Sequence, residues 1–226
     1  MTSNCLTLHS PAKLNLFLHI VGRRPDGYHL LQSVFQLIDW CDTLTLKLIP
    51  ENEVRRINPI PGVPPESDLV VRAAKLLKEF CQIENGVEID LKKEIPMGAG
   101  LGGGSSDAAS TLIGLNALWD LHLSKETLAK LGIQLGADVP FFIFGQNAFV
   151  EGIGEQIQEI ALETQDFLVL FPNQGISTVS IFHDPELTRD HPQITIDGFL
   201  ASPWSFQTND CQAVAMRICP EVKQAL

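Results

Sequence analysis

The sequence predicts an α+β fold, and three observations carry that prediction. Apolar and polar residues alternate over most of residues 5–49, the period of half-buried strands. Apolar residues at 69, 70, 73, 74, 76, 77, 80 and 81 recur at helical spacing. A strand-like stretch, "GVEIDLKKEIP", then runs into a glycine-dense loop and on into a second helical segment.

Along the chain, "CLTLHSPAKLNLFLHIVG" (5–22) reads as two short strands around a Ser-Pro break. Pro25-Asp26-Gly27 is a turn signal, and strand-like patterning resumes from residue 31 to Ile49. The proline-rich stretch 50–67 reads as a loop with room for one short strand, and "DLVVRAAKLLKEFCQ" as a helix. After the glycine loop, "SSDAASTLIGLNALWDL" is helical, with Ser105, Ser106 and Asp107 suited to its first turn. Ser124 opens a further helix that ends near Gly136. "FLVLFP" (167–172) and "QITIDGF" (193–199) read as strands of a second unit, and "TNDCQAVAMRICPEVKQAL" as helical. The segment "EGIGEQIQ" interrupts the pattern, so the expected domains are 1–153 and 154–226.

Composition narrows the function classes. A chain of 226 residues with 45% apolar content can bury a sizeable core in one or two domains. Its net charge of −11 argues against sequence-independent nucleic-acid binding, which needs Lys and Arg to neutralise phosphates. One anionic ligand in a locally positive pocket is still compatible with that charge. The five cysteines are scattered, odd in number and without a CxxC pair, which suits a reducing cytoplasm and speaks against zinc or a disulfide frame. No apolar segment approaches membrane-spanning length. The expectation is a cytoplasmic protein with small-molecule partners, engaging neither nucleic acid nor membrane.

The stretch "PMGAGLGGGSS" (96–106) places five glycines in the seven positions 98–104. Glycine this dense gives up conformational entropy on folding, so something must need the bare backbone. A Walker A loop fails because Gly104 stands where its lysine belongs. Gly98, Gly100 and Gly103 satisfy G-x-G-x-x-G, but four residues separate strand from loop and a second helix, not a strand, follows the first. A phosphate cradle fits better: backbone N–H groups and a helix N-terminus face phosphate oxygens, and Ser105 and Ser106 add hydroxyl donors.

This loop resembles that of the GHMP kinases, P-x-x-x-G-L-G-S/G-S-S. The likeness extends through "PAKLNLFLHIVGRRPDGYHLLQSVFQ" (11–36), "LGADVPFF" (135–142), "FHDPEL" (182–187) and "TNDCQ" (208–212), nearly the whole chain. It implies a two-domain fold, an N-terminal ribosomal-protein-like α/β domain and a C-terminal ferredoxin-like α+β domain, with the active site in the cleft between them. It also implies phosphorylation by ATP and Mg2+ of a cytidine diphosphate sugar alcohol, by a monomer or weak homodimer.

Residue roles follow from the same resemblance. Asp138 is the expected catalytic base, although a carboxylate before Val139-Pro140 also suits a helix cap. Lys13 is expected beside it, and Asn15, two residues on along a strand, shares its face and suits a substrate hydrogen bond. His29 is expected to read the cytosine, with Tyr28 lining the site and Phe182 closing the other face. ATP is expected at Lys93, at Pro96, Met97, Gly98, Ala99, Gly100, Leu101, Gly102, Gly103, Gly104, Ser105 and Ser106, and at Asp68. Asp68 stands where family members often carry Asn for an adenine contact. Ser106 is the hydroxyl chosen for magnesium. The resemblance further implies a third glycine motif, G-[ST]-G-A, beside the phosphate loop. None occurs between residues 155 and 226, so weak nucleotide binding and slow turnover are expected.

Overall fold

The computed structural model describes residues 4–226. The chain forms two compact units, and it passes between them more than once. The first comprises residues up to 12, 38–95 and 102–145; the second comprises 13–37, 96–101 and 146–226. Two long strands, β1 (Cys5–Arg23) and β2 (His29–Ile49), contribute to both units and pair with each other.

In the first unit, β2 pairs antiparallel with β4 (Gly86–Lys92), Thr43 opposite Lys92 through Ile49 opposite Gly86. A short β3 (Val54–Arg56) adds in parallel on the far side of β4. Strand alternation aims Leu44 and Leu46 of β2 and Val87, Ile89 and Leu91 of β4 into the core. Four helices complete this unit: α1 (Leu69–Cys81), α2 (Gly103–Leu118), α3 (Lys125–Gly132) and α4 (Val139–Phe144). Asp68 caps α1 by accepting from the Val70 N–H at 3.1 Å, and Ser124 caps α3 through Thr127. The α2 helix lies close on the sheet at Gly114, where a Cβ would stand 2.6 Å from side-chain atoms of both Leu8 and Leu46.

In the second unit, β5 (Ala148–Glu151) pairs antiparallel with β2, Ser33 opposite Val150, and with β6 (Gln156–Glu159) on its other edge. Phe17, Val34, Phe149, Ile160 and Phe199 form one buried cluster, and Leu18, Ile20, Leu187 and Val214 another. Phe17 and Leu18 are adjacent on β1 and point to opposite faces, so both faces of this strand are covered. That explains the near-continuous apolar run "LNLFLHIV". The remaining helices are α5 (Thr178–Phe182), α6 (Ile196–Ala201), α7 (Gln212–Ile218) and α8 (Pro220–Ala225).

Several expectations change. The two N-terminal strands are one strand of 19 residues, because β1 pairs only with β2 among the described strands and its other edge tolerates Pro11. Residues 167–172 form no strand: no described strand pairs with them, and Leu168 is 88% exposed. Residues 196–201 are helical, with Thr195 capping through Gly198. The helical C-terminal stretch breaks at Cys219-Pro220, as a proline without an N–H requires. The α2 helix starts two residues before Ser105, at Gly103. The 153/154 position lies in the turn between β5 and β6, inside the second unit. Among the described residues, no helix is long and apolar enough to cross a membrane.

Candidate functional site

The glycine loop has the backbone of an anion cradle. Gly98, Gly100 and Gly102 have φ of 71°, 75° and 72°, alternating with ordinary residues so that successive N–H groups turn to one side. A Cβ on Gly98 would stand 3.0 Å from the Gly175 backbone, and the Gly98 carbonyl accepts from the Ile176 N–H at 3.1 Å. Gly102 occupies the N-cap of α2 and offers no side-chain acceptor, so the first N–H groups of that helix have no cap. Ser106 is fully buried and its Oγ has no hydrogen-bond partner, and Asp107 Oδ1 is likewise buried and unpartnered. A buried polar atom in this state calls for a partner, and beside an uncapped helix N-terminus a bound ligand can supply one.

Beneath the loop lies a charged network. Asp42 shares the inward parity of Leu44 and Leu46, and its carboxylate is completely buried. It accepts from the Glu94 and Ile95 N–H groups at 2.5 and 2.9 Å and pairs with Lys93. Lys93 also bridges to Asp107 Oδ2 at 2.8 Å, and its Nζ would be 3.1 Å from a Cβ on Gly103. Burial pushes the Asp107 carboxyl up to about 7, against the opposing pull of Lys93. Lys93 thus supports the loop from below through two carboxylates that sequence reading did not assign to the site. The parity of Asp42 with its apolar neighbours was the available signal.

The "GADVP" turn comes to the same loop. A Cβ on Gly136 would stand 3.6 Å from Ser105 Oγ, and Asp138 follows two residues later at the start of α4. Asp138 occupies the N-cap position, but its side chain makes no capping bond. Asp68, expected at the adenine, is engaged otherwise: it caps α1 and pairs with Arg56 at 2.9 Å, both side chains under a tenth exposed. Its neighbour Leu69 lies against the loop, 3.3 Å from where a Cβ on Gly104 would be.

In the second unit, Lys13 is buried and donates to Asn15 Oδ1 at 2.9 Å, as their shared strand face predicts. Its ammonium sits 4.6 Å from the centre of the Phe35 ring, and its backbone N–H donates to the Leu101 carbonyl at 2.9 Å. Strand β1 is thereby fastened to the first half of the glycine loop. His29 and Phe182 come together with ring centres 5.2 Å apart at 37°. Tyr28 is 60% exposed beside them in sequence, its N–H accepted by Asp26. Arg189, which sequence reading missed, donates from Nε to His29 Nε2 at 3.0 Å. Burial and then Arg189 hold the imidazole below its ordinary pKa, so the ring is neutral.

A kinase built on this fold class is what the comparisons return. Residues 68–146 match the family described as GHMP kinases N terminal domain. A 4-diphosphocytidyl-2-C-methyl-D-erythritol kinase from Polynucleobacter asymbioticus is 84% identical over 98% of this chain and 75% of that protein. One from Burkholderia cenocepacia is 56% identical over 99% of this chain and 78% of its own length. A crystal structure of 4-(cytidine 5'-diphospho)-2C-methyl-D-erythritol kinase superposes with a TM-score of 0.80 at 32% identity, covering 97% of this chain and 81% of that one. The chain belongs to the 4-diphosphocytidyl-2-C-methyl-D-erythritol kinases of the GHMP kinase family.

Proposed function

We propose that the protein transfers the γ-phosphoryl group of Mg-ATP to the 2-hydroxyl of 4-diphosphocytidyl-2-C-methyl-D-erythritol, a step in the non-mevalonate route to isoprenoid precursors. The observation that carries this reading is the uncapped N-terminus of α2 behind three left-handed glycines, with Ser106 Oγ buried and unpartnered. Such a cradle fits the oxygens of a nucleotide triphosphate, and the hydroxyl of Ser106 fits a magnesium ion that accompanies it. When bound, the ion neutralises phosphate charge.

The chain's own groups position and stabilise. Loop N–H groups hold the phosphates of the donor, and Asp138 accepts the proton as the acceptor oxygen forms its bond to the γ-phosphorus. The bond from that phosphorus to the β,γ-bridging oxygen breaks, and ADP leaves. Lys13 stabilises the negative charge of the group in transfer. Asn15, whose Oδ1 is taken by Lys13, offers its NH2 to the substrate. His29, Tyr28 and Phe182 receive the cytosine by hydrogen bonding and stacking. Lys93, Asp42 and Asp107 brace the loop. The scattered cysteines, without a CxxC pair, support a cytoplasmic setting.

The test is ADP release with a panel of acceptors. The cytidine diphosphate sugar alcohol should support turnover, while homoserine and mevalonate should not. Turnover with either of the latter at comparable kcat/KM would overturn the assignment.

A further inference from the structure

Arg189 gathers more of the base slot than any residue assigned above. Besides the His29 bond, its guanidinium donates to the carbonyls of Leu187 at 2.8 Å, Asp184 at 2.7 Å and Phe182 at 3.3 Å. It therefore fastens the segment that carries Phe182 to the first residue of β2. A guanidinium has donors only and cannot accept, so His29 Nε2 must be the accepting nitrogen. The neutral ring then carries its proton on Nδ1.

We propose that Arg189 is a positioning residue that locks His29 in the Nδ1–H tautomer and holds Phe182 opposite it, so that the slot favours cytosine over uracil. The chemistry is direct. Both bases offer O2 as an acceptor, so the discrimination lies at N3: cytosine accepts there from the Nδ1–H donor, whereas uracil carries a hydrogen. A donor facing that hydrogen leaves both groups unpaired, and buried unpaired groups are costly. The charged and titratable groups facing His29 are Arg189, Arg23 and His183, and all three disfavour a proton on the ring. Arg189 is the one held in place by three carbonyls.

This inference rests on the base-slot reading under Proposed function, and its test has one arm that needs no turnover. In the first arm, 15N NMR follows His29 in the wild type and in Arg189→Met. The wild type should show a neutral ring protonated on Nδ1 and titrating below the ordinary histidine range. In Arg189→Met the titration should rise toward that range and the tautomer should become mixed. The second arm measures kinetics with the cytidine acceptor and its uridine counterpart. Arg189→Met should raise the cytidine acceptor KM by about tenfold and narrow the preference over uridine, leaving the KM for ATP and kcat within about twofold. Arg189→Lys keeps the charge without the fork and should show the same loss, which covers the case in which the Met variant does not fold. An unchanged His29 spectrum, or an unchanged acceptor KM in a folded variant, overturns the proposal. Absence of wild-type turnover with the cytidine acceptor would instead fail the reading it rests on, with the NMR arm still deciding the tautomer.

Discussion

The glycine loop and the base slot prepare for their ligands in opposite ways. At the loop, Ser106 Oγ and Asp107 Oδ1 are buried without partners and α2 begins without a side-chain cap. At the slot, Arg189 has already satisfied His29 and three carbonyls. An unpaired buried polar group costs about 1–3 kcal/mol, so the Ser106 hydroxyl and the uncapped N–H groups of α2 stand at a deficit that an incoming phosphate relieves. The slot spends its hydrogen bonds in advance to fix the orientation of one recognising ring. The first arrangement suits a ligand that brings strong charge; the second suits discrimination between similar bases.

The largest effect that can break this comparison lies at neither region but at the proton acceptor. Asp138→Asn should lower kcat by roughly 10²–10⁴-fold with ATP affinity nearly unchanged, the range for a positioned general base. A kcat within a few-fold of wild type would return Asp138 to a structural part, although it makes no capping bond. At the slot, His29→Ala should weaken acceptor binding by about 1–3 kcal/mol and leave ATP binding alone. Equal losses for both substrates would make His29 a packing residue.

Ser106→Ala sharpens the contrast. Removing an unpartnered buried hydroxyl should leave the stability of the free protein unchanged or raise it by about 1 kcal/mol, while nucleotide affinity falls about tenfold. A destabilised free protein with normal nucleotide binding would contradict the deficit. The pH dependence of Asp107 tests the network beneath the loop. Its carboxyl titrates at about 7 when folded against 3.8 ordinarily, so the folded state holds the extra proton between those values. Stability from this group is fully present below about 3.8 and is lost as pH rises through about 7. His19 and His29 are held below the ordinary histidine value, mainly by burial, and act in the other sense, costing stability as pH falls below about 6.5. Asp107→Asn should therefore remove the decline between about pH 3.8 and 7, a few kcal/mol in all at about 1.4 kcal/mol per pH unit, and keep the acid-side loss. Denaturant titrations at three pH values check this; identical slopes in wild type and variant would contradict it.

What the sequence disclosed depended on whether the controlling interaction was local. The Ser124 cap, the periodic helix at 69–81 and the glycine loop are written within a few consecutive residues, and the structure shows all three. Lys13 and Asn15 share a face because strand parity is also local. The failures required distant partners. "FLVLFP" has the alternation of a strand, but a strand also needs a neighbour, and no described strand pairs with it. Pro11 broke a strand on paper because nothing nearby says that β1 lies on an edge. The helix at Ile196–Ala201 did have a local signal, Thr195 as cap and Asp197 in the first turn, and the alternation of "QITIDGF" masked it. Arg189 carried no local mark at all: its meaning comes from His29, 160 positions away.

The most direct measurement is 31P NMR of the product formed from ATP and 4-diphosphocytidyl-2-C-methyl-D-erythritol. The account predicts one new phosphomonoester resonance, coupled to no proton on the oxygen-bearing carbon because the 2-position is fully substituted, with the acceptor diphosphate intact. Inorganic phosphate as the only new signal besides ADP, or a phosphomonoester split by a carbinol proton, would contradict transfer to the 2-hydroxyl.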